Sequence, residues 1–387
     1  MRRNAAVRRV SNTIERGAGP AGISCVISWC SESHKKGSMK IIGAASAFPP
    51  HYYSQDVLLS ALRAYWDGQL PHPELLERFH SRAGVEGRYL ARPLADYYEM
   101  KTFGDFNRAW VEAAAQLGGT ALCRAVSQAG ISRGDIGALF FVSVTGVASP
   151  SIDAMLMDRL KLSPQTKRIP IFGLGCVAGA AGIARAADYV KAYPDHVAAL
   201  VSVELCSLTI QREDLTIANL VSSGLFGDGA AAVLVGGDDL EQPGPEIIAT
   251  RSTFYPGTQD VMGWKISEKG FEIVLSAEVP NVIREHLGPD VDALLAEHDL
   301  SRADIGAWIM HTGGPRVMEA MQDSLGLDAS HLAVSWECLR KTGNLSSASV
   351  LCVLEQFMMK KRPAPGTWSI LGAMGPGFCS ELVLLRW

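Results

Sequence analysis

One short pattern occurs twice in this chain. Residues 131–146 read ISRGDIGALFFVSVTG and residues 300–314 read LSRADIGAWIMHTGG, so Ser, Arg, Asp, Ile, Gly and Ala recur at a separation of 300 − 131 = 169. In each copy a polar turn carrying Asp leads into an apolar run of the kind that forms a buried strand. A chain that repeats such a junction is expected to fold as two copies of one unit, here residues 39–240 and 241–387. The length agrees, because 387 residues suffice for about two domains or one large duplicated unit. Helical patterns alternate with runs such as HVAALVSVEL (196–205) and AAAVLVGG (230–237), which makes the class α/β.

The same separation carries Cys176 to Leu345, one residue from Asn344. Cys176 closes FGLGC and precedes the small-residue pattern VAGAAGIARAADYV, while Asn344 closes KTGN and precedes LSSASVLCVLEQFM. Both read as loop-to-helix junctions, placed by the duplication on either side of one internal axis. His311 ends the strand of the second copy. A Cys, a His and an Asn are thereby expected at one central site.

The unpaired N–H groups and positive dipole end of a helix N-terminus favour a thiolate over a thiol. Gly173, Gly175 and Gly179 strip bulk from around Cys176, as a nucleophile open to substrate requires; a buried structural thiol is the alternative. His311 stands before Thr312-Gly313-Gly314-Pro315, beside exposed backbone rather than on a helix face. Asn344 reads either as a helix N-cap or as a donor that, with His311, stabilises an oxyanion or enolate. Cys, His and Asn also serve hydrolases, where Asn orients His. An Asn at its own symmetric junction suits a second donor better, so acyl transfer through a Cys thioester fits better than peptide hydrolysis.

Composition removes several classes. The 36 basic and 40 acidic residues give a net charge of −4, which is no footprint for nucleic acid. None of the eight Cys forms a CxxC pair, so zinc ribbons and thioredoxin-type chemistry are not expected, and reduced thiols suggest a cytoplasmic protein. Three uncharged stretches (136–152, 169–184 and 363–380) are each broken by Pro or polar residues, so no membrane span is expected. Residues 1–38 differ from the rest, with seven Lys/Arg against two Glu and no apolar periodicity. They are expected to be a disordered extension rather than an export signal, with the folded unit opening at Met39, and Cys25 and Cys30 there suggest no metal site.

With these residues in view, the chain resembles the type III polyketide synthases, the chalcone-synthase-like branch of the thiolase superfamily. The motifs are IFGLGCVAGAAG around Cys176, GLFGDGAAAVLVGG around Phe226, HTGGP at His311, GNLSSASVL at Asn344 and GAMGPGF near the C-terminus. The resemblance spans nearly all of 39–387. It implies a thiolase-like five-layered αβαβα fold from two duplicated halves, and a homodimer. It also implies a mechanism in which Cys176 takes an acyl group from a CoA thioester and is held as a thiolate by His311. His311 and Asn344 would then stabilise the enolate left when malonyl-CoA loses carbon dioxide. No metal and no cofactor beyond the CoA thioester substrates is implied.

Further positions follow by the same resemblance. Phe226 matches a gating aromatic between the catalytic chamber and the CoA tunnel, with Ile273 as the second gate. Cys206, Thr209 and Ser346 match cavity-lining positions, and Cys206 is characteristic of bacterial members with a long acyl tunnel. Gly313 and Gly314 join the substrate site, and Arg78 and Arg82, four apart on one helix face, match CoA-binding positions. Thr312 replaces a Pro of plant members, and AMGPG (373–377) replaces their GFGPG. The expected activity is iterative condensation of malonyl-CoA onto an acyl-CoA starter, a medium or long fatty acyl chain, giving an alkylpyrone or alkylresorcinol. The alternatives are a single-round β-ketoacyl-ACP synthase-like enzyme and, from another class, a cysteine amidase or thioesterase. A non-catalytic CoA- or lipid-binding relative would have lost one of Cys176, His311 or Asn344, and all three are present.

Overall fold

A computed structural model describes residues 39–387. The basic segment 1–38, with Cys25 and Cys30, lies outside the described residues. The first half opens with β1 (Met39–Ala47) and β2 (His51–Ser54), then α1 (Gln55–Tyr65), α2 (Pro73–Ser81), β3 (Gly87–Leu90), α3 (Leu94–Glu99) and the long α4 (Phe103–Ala129). It continues through β4 (Ile136–Val142), α5 (Ile152–Leu160), β5 (Lys167–Ile171), α6 (Ala178–Ala192), β6 (Val197–Leu205), α7 (Ile217–Leu225) and β7 (Asp228–Gly236). The second half holds β8 (Glu246–Phe254), the hairpin β9 (Met262–Ser267) and β10 (Gly270–Leu275), α8 (Val279–Ala296) and β11 (Ile305–Met310). It closes with α9 (Pro315–Leu325), α10 (Ala333–Thr342), α11 (Ala348–Met359), β12 (Trp368–Gly375) and β13 (Cys379–Arg386).

The duplication is explicit in the strand pairing. In the first half β4 runs parallel to β6, β6 antiparallel to β7, and β7 antiparallel to β1. In the second, β11 runs parallel to β12, β12 antiparallel to β13, and β13 antiparallel to β8. β1 and β8 meet at Met39–Ile247 and Lys40–Glu246, giving the continuous order β11-β12-β13-β8-β1-β7-β6-β4-β5. The edge strand β5 has no counterpart beyond β11 among the described residues.

Five residues of the repeated heptad do the same work twice. Ser132 and Asp135 close one 3-10 turn, with the Ser132 N–H donating to Asp135 Oδ2 at 2.8 Å; Ser301 and Asp304 close the other at the same distance. Ile136 and Ile305 begin the strands as buried residues. Arg133 donates to the Leu160 carbonyl (3.1 Å) at the end of α5, and Arg302 to the Ser324 carbonyl (2.9 Å) at the end of α9. Both arginines thus satisfy a helix C-terminus with a cation. Gly137 and Gly306 leave room for the residue that leads into the neighbouring parallel strand. A Cβ would lie 2.3 Å from His196 in the first case and 2.6 Å from Thr367 in the second.

Three hydrophobic clusters sort the layers. One packs α4 and α5 on the outer face of the first sheet half, and another packs α8 and α9 on the outer face of the second. The third lies between the halves and joins α6, α11 and the inner strand faces. The order is therefore helix, sheet, helix, sheet, helix. β6 and β7 are buried at every position, which explains their near-continuous apolar sequences. No helix among the described residues is long and apolar enough to cross a membrane.

The two central helices touch where they begin. A Cβ on Gly179 would stand 2.2 Å from the Ser347 carbonyl oxygen and 2.9 Å from Val350. Gly179→Ala should push α6 and α11 apart and cost about 1–3 kcal/mol, as overpacking a filled core does. Chemical denaturation should show a lowered midpoint for this variant, while Gly263→Ala, which meets nothing within 4 Å, should leave it unchanged.

Candidate active site

Cys176 sits in the 3-10 turn Gly175–Val177 that leads directly into α6, and it is buried. His311 follows the last residue of β11, its backbone N–H bound to the Gly372 carbonyl of β12 at 3.0 Å. Asn344 lies in the loop between α10 and α11. It is not the N-cap, because α11 begins at Ala348 and Ser347 occupies that position. The Asn344 N–H donates to Leu225 O and its carbonyl accepts from Gly227 N–H, both at 2.9 Å, so it forms a bridge with Phe226. Gly343 makes this approach possible: its φ is +70° and a Cβ would lie 2.6 Å from Leu225 O.

The Asn344 side chain is oriented by its own loop. Its Oδ1 accepts the Ser346 N–H at 2.8 Å, which leaves the amide NH2 as the free donor. Ser346 holds a left-handed backbone (φ 47°), uncommon for a residue with a Cβ, and its Oγ accepts from Cys176 Sγ at 3.5 Å. Ser346 is thus a hydrogen-bond partner of the thiol, and it lines neither cavity described below. Beneath them Glu204 is fully buried, accepting from Ser347 Oγ, Val144 N–H (3.1 Å), Thr145 Oγ1 (3.0 Å) and Ser143 Oγ (3.3 Å).

Burial dominates the electrostatics. It pushes the Cys176 thiol up to about 12, with the Glu204 charge adding to the rise and the Ser346 hydrogen bond opposing it. Burial also holds His311 down to about 4, and its Nδ1 is buried with no partner among the described residues. Glu204 is raised to about 7, again by burial. A dry chamber favours the neutral form of every group in it.

Two cavities adjoin here. The larger, about 330 Å³, is lined by Cys176, His311, Asn344, Gly313, Gly314 and Phe226, with Arg78 and Arg82 among its other lining residues. The smaller, about 100 Å³, is lined by Cys206, Thr209, Ile273 and again Phe226. Phe226 thus contributes to both walls. The β9–β10 hairpin also spans them: the pair Met262–Leu275 lines the larger cavity and Trp264–Ile273 the smaller.

The arginine helix is shorter than a shared face requires. α2 ends at Ser81, so Arg82 is its C-cap residue. Both arginines are exposed and make no ion pair with an acid among the described residues; Glu77, a neighbour in sequence, pairs instead with Arg63 at 2.6 Å. Arg316 is a third exposed arginine lining the larger cavity, and its position one residue after HTGGP was the signal for it. Arg88, Tyr97 and Trp264 in the smaller cavity carried no sequence signal, since they are assembled from distant segments. Among the described residues no group of three or more His, Cys, Asp or Glu side chains is gathered to hold a metal.

Comparison with known proteins gives this geometry its class. Residues 91–239 match the N-terminal domain of chalcone and stilbene synthases, and residues 246–387 match their C-terminal domain. The chain is 48% identical over 345 residues to a 1,3,6,8-tetrahydroxynaphthalene synthase of Streptomyces peucetius subsp. caesius, covering 88% of this chain and 91% of that one. It is 35% identical to a putative chalcone synthase of Bacillus subtilis (strain 168), over 90% of this chain and 98% of that one. The crystal structure of 1,3,6,8-tetrahydroxynaphthalene synthase from Streptomyces coelicolor A3(2), a bacterial type III polyketide synthase, superposes with a TM-score of 0.85 at 31% identity. That match covers 90% of this chain and 99% of that one. The chain therefore belongs to the chalcone and stilbene synthase family, the type III polyketide synthases. It is a CoA-dependent acyltransferase of thiolase-like fold, from a family whose enzymes use CoA thioesters and need no further cofactor.

The depressed His311 has a measurable consequence. The unfolded imidazole takes up its proton near 6.5 and the folded one only near 4. Stability that depends on neutral His311 is complete above pH 6.5 and is lost as the pH falls toward 4. His311→Gln removes this contribution, so its denaturation midpoint should fall less steeply than that of the wild type between those pH values.

Proposed function

We propose that this enzyme extends an acyl thioester on Cys176 by repeated decarboxylative condensation with malonyl-CoA and then cyclises the product. The observation that carries the reading is that Cys176, His311 and Asn344, from three distant segments, line one cavity, with a second cavity beyond Phe226. In the first step the Cys176 sulfur attacks the acyl-CoA carbonyl and the CoA thiolate leaves. Malonyl-CoA then loses carbon dioxide, and the electrons of the broken C–C bond form an enolate. The enolate oxygen takes hydrogen bonds from the His311 imidazole and the Asn344 NH2. Attack of its carbon on the Cys176 thioester forms the new C–C bond and releases the Cys176 sulfur, leaving the extended chain on CoA.

The thiolate arises by proton transfer to His311. Each charge alone is costly in this chamber, and each offsets the other when they form as a pair. The exposed Arg78, Arg82 and Arg316 suit the phosphates of CoA at the larger cavity. Phe226 and Ile273 border the space into which a growing chain would pass. That space favours iteration over a single-round enzyme, which needs no second chamber, and over an amidase or thioesterase, which forms no C–C bond. A homodimer is part of this reading, in keeping with the family resemblance.

For the starter, malonyl-CoA itself is the first reading. The relative at 48% identity is a 1,3,6,8-tetrahydroxynaphthalene synthase, and the oxygens of that product alternate around the rings as carbonyls do along a poly-β-ketone. Two-carbon units from malonyl groups can therefore supply every ring carbon. A fatty acyl starter giving an alkylpyrone or alkylresorcinol is the second reading, favoured by the apolar lining Leu58, Leu62, Leu94, Ile210 and Ile273 of the smaller cavity.

Two experiments test these steps. Purified enzyme given malonyl-CoA, alone or with acyl-CoAs of graded length, should form cyclised polyketides resolved by mass. Cys176→Ala should lower turnover on the order of a thousandfold or more. Hydrolysed acyl-CoA or a single β-keto product in place of these would refute iteration, and the starter that yields product decides between the two readings. In the second, alkylation of Cys176 by iodoacetamide should slow at least tenfold in His311→Gln at neutral pH. Its rate should recover as the pH rises, because loss of the proton acceptor leaves the thiol to ionise unaided.

A further inference from the structure

The smaller cavity is walled mostly by carbon, yet one charged side chain lines it. Arg88 stands on β3, only 2% exposed, as the sole ionic side chain among the Leu, Ile, Tyr and Ser residues of that wall. Its Nη2 donates to the Ser223 carbonyl, and its Nη1 is buried with no partner among the described residues. The acid whose field it feels, Asp228, makes no ion pair with it. Asp228 Oδ1 accepts the Ser207 N–H at 2.8 Å, and Oδ2 accepts the Ala91 N–H at 2.6 Å and the Ser207 hydroxyl. Burial lowers the guanidinium only to about 10, so it is charged at neutral pH.

A guanidinium has five N–H donors in a rigid fork, and buried cations are ordinarily paired. Here a donor remains free beside a cavity that the proposed function assigns to the growing chain. The fork matches a carboxylate in shape and charge. A chain primed by a malonyl group carries a carboxylate at its far end, whereas one primed by a fatty acyl group carries a methyl.

We propose that Arg88 is a carboxylate seat in the extension cavity, receiving the distal carboxylate of a chain primed by a dicarboxylic acyl-CoA. The proposal rests on the reading of Cys176 as the acyl carrier and deepens it by naming the class of starter. It also assigns a role to the smaller cavity other than housing an alkyl tail.

The test compares primers matched in length and differing in end group, from glutaryl- against valeryl-CoA to suberyl- against octanoyl-CoA. Acylation of Cys176 is followed by intact-protein mass, and extension with malonyl-CoA by product mass. The wild type should acylate and extend at least one dicarboxylic primer tenfold or more better than its methyl-ended match. Arg88→Gln should abolish that preference by slowing the dicarboxylic primer tenfold while leaving its partner within about twofold, and Arg88→Lys should retain part of it.

Equal loss with both primers would overturn the proposal. It would make Arg88 a structural cation, satisfied through internal water with Gln55 and His80, whose Oε1 and Nδ1 are likewise buried without partners. A wild type that prefers the methyl-ended primers at every length would also overturn it, and this readout survives even if Arg88→Gln does not fold. Acylation preference without any extension would keep the seat and remove the polyketide reading, and absence of acylation would remove both.

Discussion

The contact between the beginnings of α6 and α11 is the constraint on which the site depends. Gly179 of α6 lies against the Ser347 carbonyl, with no space for a Cβ, and Ser347 Oγ reaches both Ser202 (2.8 Å) and Glu204 of β6. This brings two helix N-termini together in the middle layer of a five-layered molecule. The loops that precede those helices carry Cys176 and Asn344, so both residues face the same cavity. The repeated strand order of the two halves places β11 where its end supplies His311. One close helix contact and one duplicated topology therefore account for all three positions.

A second theme is dryness. Cys176, His311 and Glu204 are each displaced toward neutrality by burial, in directions that depend on the charge each would carry. Removing water makes an isolated charge costly, and it strengthens any interaction between two charges or between a donor and an oxyanion. The neutral resting state and the proposed proton transfer share this origin. Hydroxyls and backbone N–H groups, rather than cations, satisfy Glu204, so the ground beneath the thiol is polar and ordered without adding positive charge.

Much of this was legible in the sequence. The repeated SRxDIGA heptad predicted the duplication because five of its residues each meet a local requirement. Ser and Asp close a turn, Arg caps the helix that follows, Ile enters the core, and Gly admits the neighbouring crossover. The three chemical side chains were equally visible, since each stands at a junction whose glycines and small residues mark a change of direction. Reading Asn344 as a possible cap placed it one turn too close to α11, and α2 stops before Arg82. Both points concern element ends, where a hydrogen bond or two decides the boundary and propensity carries little information; for Asn344 only the cap, one of its two readings, is excluded.

What the sequence determined by itself was therefore local and repeated: strand runs, turns, helix starts and the order in which they follow one another. The tertiary structure decided what those elements enclose. Arg88 on a short edge strand, Tyr97 on α3 and Trp264 on a hairpin line one small cavity, although nothing in their own neighbourhoods announces a common site. Ser346 meets the Cys176 thiol through its hydroxyl from a left-handed backbone, a contact between residues 170 apart in the chain. The physical reason is that a strand or turn is specified by interactions between residues close in the chain. A cavity is the space left when distant faces pack, and its polarity depends on which donors that packing leaves without partners.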